Sequence, residues 1–149
     1  MSNIRNRLNL VFVATALALG IAGCGMMTPS NTVTLSSQLG GSSEVPPAAT
    51  GGTGMVEATL NKDTNVLTWK VTFSGLTGPA TAAHFHGPAA AGANAGVVVP
   101  FTGTTSPMEG QATLTAAQAA DLLAGKWYAN VHTAANKGGE IRGQMMPKM

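Results

Sequence analysis

The chain has three histidines, and all of them fall in two short stretches. His84 and His86 stand in Thr81-Ala-Ala-His84-Phe85-His86-Gly87-Pro88, and His132 stands in Tyr128-Ala129-Asn130-Val131-His132-Thr133. Side chains two apart on a strand share a face, so His84 and His86 present paired imidazoles on the side away from Phe85. In the second stretch Tyr128, Asn130 and His132 share the face opposite Ala129 and Val131. Three imidazoles converging from two strands make a candidate transition-metal site. Neutral imidazole suits Cu(II), Zn(II) and Ni(II), and Cu(II) binds tightest in the divalent series, so copper is favoured and zinc is the alternative. Three protein ligands leave a coordination position open.

Neighbouring groups extend the candidate site. Tyr128 is a possible weak fourth ligand or an outer partner, and Asn130 can orient an imidazole through its amide. Glu140 and Arg142 lie on the side of their strand away from Ile141, where a bidentate ion pair is expected; Glu44 is a second carboxylate within Arg142's choice. The functional alternative makes Glu140 a metal ligand or general base. Against the metal reading stands a plainer one, in which the histidines hydrogen-bond loops and organise the Gly87-Pro88 turn. The protein would then be a metal-free extracellular interaction or structural module. Met145, Met146 and Met149 read as packing and a frayed tail rather than as a thioether site for Cu(I), and Trp69 and Trp127 read as core aromatics. No Gly-x-Ser-x-Gly, phosphate-binding glycine motif or His-Glu-x-x-His helix occurs. Catalysis is left open, with a non-catalytic role favoured, because the sequence names no proton relay and no substrate pocket.

Many short strands must position these residues. Val33, Leu35 and Leu39 alternate in the first; Met55 to Leu60 forms the second; Val66 to Ser74 puts Leu67, Trp69, Val71 and Phe73 on one face. Ala80 to His86, Val97 to Phe101, Gln111 to Leu114, Trp127 to His132 and Glu140 to Met145 complete the set. One helix interrupts them. Thr115 is the expected N-cap, Gln118 closes a capping box, Ala116 to Ala124 are helix formers apart from Asp121, and Gly125 fits the C′ position. The pattern predicts an all-β fold, an antiparallel β-sandwich or flattened barrel with about eight strands and one short helix.

The front of the chain reads as an export signal. Arg5 and Arg7 precede an apolar run from Leu8 to Ala22 that has signal-peptide length and is short for a membrane span. The end of that run, Leu19-Gly20-Ile21-Ala22-Gly23-Cys24, resembles the lipobox of bacterial lipoproteins. That resemblance implies a signal peptide over 1–23, a lipidated Cys24 with a tether over 24–31, and one domain over 32–149. It also implies an exported protein anchored to the membrane of the cell envelope through its N-terminal lipid. Gly25 after the cysteine favours the outer membrane in a Gram-negative host. The chain counts 8 basic and 6 acidic residues; removal of Arg5 and Arg7 leaves a neutral, sparsely charged mature domain. Nothing in that balance points to nucleic acid. Cys24 is the only cysteine, so the domain has neither a disulfide nor a thiolate ligand.

A family resemblance covers the same domain. Glu44-Val-Pro46-Pro47, Gly75-Leu-Thr-Gly78, Ala83-His84-Phe85-His86-Gly87-Pro88 and Leu114-Thr-Ala-Ala-Gln118 are similar to the signatures of the CHRD domain, the module named after chordin. So are Asp121-Leu-Leu-Ala-Gly125 and the run from Tyr128-Ala-Asn130-Val-His132-Thr133 to Gly139-Glu140-Ile-Arg142-Gly143. The resemblance spans about residues 32–145. It implies a fold and, from the animal members, extracellular binding of protein partners; it implies no reaction.

Overall fold

The computed structural model describes residues 31–148. The expected export signal, Cys24 with its expected lipidation, all but the end of the expected tether, and Met149 lie outside the described residues. Among the described residues nine strands and one α-helix follow in chain order, with a single 3-10 turn at Gly41–Ser43: β1 (Thr32–Gly40), β2 (Thr53–Asn61), β3 (Val66–Ser74), β4 (Ala80–His86), β5 (Val97–Pro100), β6 (Met108–Thr113), α1 (Ala116–Leu123), β7 (Tyr128–Thr133), β8 (Ile141–Gln144) and β9 (Met146–Pro147). Alternation in β1, β2 and β3 turns Leu35, Leu39, Val56, Leu60, Leu67, Trp69 and Val71 inward, all of them buried. Every paired strand is antiparallel, in the order β5-β4-β7-β8-β1-β2-β3-β6, with β9 on β1. The sheet curls into a nearly closed barrel of eight strands with one helix, as the all-β reading expected.

Most strand ends shift by one or two residues from the sequence reading, and two differences are larger. β6 begins at Met108 rather than Gln111, because Met108 pairs with Val71 and extends the ladder along β3. The last strand breaks in two. Met145 donates its N–H to Trp127 while Met146 pairs with Ser36, so the chain passes from one partner strand to another between them. Helix α1 forms as expected. Thr115 accepts from the Gln118 N–H, the Gln118 side chain returns to the Thr115 N–H, and Gly125 takes the left-handed C′ position at φ 70°. Its Leu122 is wholly buried against the barrel.

The barrel interior holds an aromatic cluster. Trp69 meets Phe85 edge-to-face at 5.4 Å and Phe85 meets Phe101 at 4.7 Å between ring centroids. With Phe85, Ala83, Ala129 and Val131 directed inward, the alternate residues of β4 and β7 point outward. That outer face would be wet on an ordinary antiparallel sheet. Here the chain from Gly87 to Gly96 and the segment around Glu44 lie over it. Tyr128, Asn130 and Arg142, outward of the core, are nonetheless buried.

Candidate metal centre

Cross-strand register decides which side chains meet. In antiparallel strands directly opposed residues share a face. His84 opposes Asn130, which opposes Arg142; His86 opposes Tyr128, which opposes Gln144; and Ala82 opposes His132. The three histidines therefore form a triangle on the outer face of β4 and β7, and Asn130 lies inside it. One ring nitrogen from each imidazole lies within 4.8 Å of the other two. His84 Nδ1 is 3.2 Å from His132 Nε2, and Asn130 Oδ1 is 3.0 Å from both His86 Nε2 and His132 Nε2. Donors bound tetrahedrally at metal–nitrogen distances of about 2.0–2.1 Å sit roughly 3.3 Å apart. The His84–His132 and Asn130–imidazole separations are on that scale.

The opposite ring nitrogens are already committed. His86 Nδ1 lies 3.0 Å from the Ala95 carbonyl, and His132 Nδ1 lies 2.9 Å from the Lys137 carbonyl. A carbonyl only accepts, so each Nδ1 carries the hydrogen and donates it. In the neutral rings each Nε2 then presents a lone pair, and both lone pairs face the Asn130 oxygen. For His84 and His86 the surroundings favour the neutral ring. Burial pushes the His84 imidazole below its ordinary value, helped by the charges of His132 and His86. Burial also lowers His86, with His132 and Arg142 adding to it against the hydrogen bonds of Ala95 and Asn130. The lone pairs of His86 Nε2 and His132 Nε2 and the Asn130 oxygen thus converge on one small volume that suits a cation.

The other candidates separate from this cluster. Tyr128 spends its hydroxyl on the loop, accepting from the Ala95 N–H at 3.1 Å and donating to the Ala95 carbonyl at 3.3 Å. Its ring stacks on His86 with centroids 4.7 Å apart, so it acts through the face of the ring. Glu140 does not reach the histidines. Its carboxylate accepts from the hydroxyls of Thr50, Thr77 and Thr133, the Thr77 N–H and the Asn136 amide, at 2.6 to 3.1 Å. Burial alone would raise its pKa, but the bonds from Thr133, Thr50 and Thr77 outweigh it and hold the group down to about 2.

The expected ion pair is corrected by the same contacts. Among the described residues no salt bridge joins Arg142 to Glu140 or to Glu44. Arg142 donates to Asn94 Oδ1 at 2.7 Å and to the Ala93 carbonyl, and its guanidinium sits 3.4 Å above the Tyr128 ring. Five donors already satisfy Glu140, which removes the carboxylate that Arg142 was expected to use. Glu44 senses Arg142 without touching it. Burial pushes the Glu44 carboxyl up to about 7, against the charge of Arg142 and the Val45 N–H. The methionines behave as packing: Met145 is buried in the core and Met146 is exposed on β9.

Sequence reasoning missed the carbonyls of Ala95 and Lys137, which select the imidazole tautomers, and the threonine ring around Glu140. No local signal marks a carbonyl, and Thr50 lies 90 residues from Glu140. Residues 35–145 match the family model of the CHRD domain. Neither a curated protein nor a solved structure matches the chain.

Proposed function

The chain belongs to the CHRD-domain family, and for this member we propose a divalent transition-metal site. Its ligands are His84 Nδ1, His86 Nε2 and His132 Nε2, with the Asn130 amide oxygen as fourth donor. The observation that carries this reading is the set of converging lone pairs, held in place because Ala95 and Lys137 occupy the far nitrogens of two rings. Three imidazole nitrogens and one oxygen suit borderline ions, so copper, as Cu(II), is favoured and zinc is the alternative. The role is to sequester the ion, pass it on, or use it to lock the outer face of the barrel. We place the protein in the cell envelope, exported and anchored through a lipidated Cys24. The run Ala22-Gly23-Cys24 supports that placement.

Titration of the purified full-length protein with Cu(II) and Zn(II), followed by calorimetry, tests the site. One equivalent of ion should bind tightly, and the His84→Ala/His86→Ala/His132→Ala variant should lose that binding. Equal uptake by the two proteins would sink the metal reading and leave the metal-free interaction module in its place.

A further inference from the structure

Arg142 is 2% exposed, and among the described residues no salt bridge reaches it. A buried guanidinium stays charged and is normally paired with a carboxylate. Here Glu140 is taken by its five donors. Glu44, its carboxyl pushed up to about 7, is only partly ionised at neutral pH and does not stand as a full counter-charge. Neutral acceptors, Asn94 Oδ1 and the Ala93 carbonyl, take the hydrogen bonds of Arg142. The barrel therefore keeps a positive charge without a matching anion under the 87–96 loop.

What that charge faces is the Tyr128 ring, whose centroid lies 3.4 Å from the guanidinium carbon. The same ring lies parallel to the His86 imidazole, with centroids 4.7 Å apart. Strand β7 runs between β4 and β8, so His86 and Arg142 reach Tyr128 from the strands on its two sides. Tyr128 is itself buried, and a ring held there excludes the water that would screen the charge. Burial does most to keep the His86 imidazole neutral, and the charge of Arg142 adds to it. An ion on His86 Nε2 would meet the same field. We infer that Arg142 sets the charge selectivity of the metal centre: from behind the Tyr128 ring it disfavours a doubly charged ion more than a singly charged one, and so shifts the site toward Cu(I) relative to Cu(II) and Zn(II). This rests on the metal-site reading above and deepens it. The Asn130 oxygen suits the divalent ion, and Arg142 pulls the other way. Across roughly 10 Å at an effective dielectric of about 20, one unit charge shifts the relative affinity for ions one charge apart by about tenfold.

The Cu(II)/Cu(I) potential of the purified full-length protein tests this, measured by mediated redox titration followed through the electron paramagnetic resonance signal of Cu(II). Arg142→Gln removes the charge and keeps a donor for the loop. Its potential should fall by about 59 mV, the equivalent of a tenfold change for a one-electron couple. Arg142→Lys keeps a charge on the ring but loses the planar fork. It should hold a potential close to wild type even as its stability falls, a split that a merely structural role would not produce. If Arg142→Gln does not fold, Ser43→Asp tests the same charge from outside. Ser43 is exposed on the cavity that Arg142 borders, and a carboxylate there should lower the potential by a smaller step. A wild-type potential in Arg142→Gln, or in Ser43→Asp where it stands in, would overturn the inference, as would an equal fall in Arg142→Gln and Arg142→Lys. Stoichiometric copper uptake in those proteins would leave the histidine site standing. A wild-type protein that takes up no ion overturns both.

Discussion

Glu140→Gln should change the acid stability of the protein more than any other isosteric substitution. Glu140 is wholly buried, and its carboxylate has no cation within salt-bridge distance among the described residues. It stays ionised because five donors converge on it. Its pKa falls from 4.5 to about 2, which by linkage corresponds to roughly 3 kcal/mol at about 1.4 kcal/mol per unit. Thr77, one of the donors, is exposed, so solvent is close and screening reduces the contribution to about 1–2 kcal/mol. The folded-state pKa is the lower one. The stabilisation is therefore present above 4.5, where the unfolded carboxyl is ionised, and disappears as pH falls through about 2. Urea unfolding of wild type and Glu140→Gln across that window is the assay. The variant should be less stable at neutral pH, and the gap should close as the wild-type carboxylate protonates. Parallel stability profiles for the two proteins would refute the reasoning. Function should follow the same knot. Glu140 donates its N–H to Val131, and the loop it anchors carries the Lys137 carbonyl that pins His132.

Cys24→Ser should move the protein from the detergent phase to the aqueous phase on detergent partitioning of cell lysates; unchanged partitioning would remove the lipid anchor from the proposal. In the metal-free protein His84 and His86 have depressed pKa values, so their contribution to stability is present above about 6.5 and is lost as pH falls and the imidazoles are forced to protonate. The thermal midpoint should fall across that range in wild type and stay flatter in His84→Ala/His86→Ala; identical profiles would contradict the burial argument.

The strand alternations, the capping box at Thr115 and Gln118, and the shared face of His84 and His86 were legible because each depends on a few adjacent residues. Period-two alternation sets which side of a strand a residue takes, and a cap is satisfied within one helical turn. The same logic put Tyr128, Asn130 and His132 on one face before any partner strand was known. The sequence could not show that β4 and β7 lie side by side, or that β7 opposes His84 with Asn130. Nor could it show that the 87–96 loop covers the outer face. Glu140 and Arg142 illustrate the limit. Two residues of opposite charge on one strand face suggest an ion pair, yet Thr50, Thr77 and Asn94, from distant loops, supply partners to the two charges instead. Hydrogen-bond partners close in space but far apart in sequence depend on how the whole chain closes. Sequence therefore determined the face on which the imidazoles sit, and tertiary structure decided which of their nitrogens remain free to hold an ion.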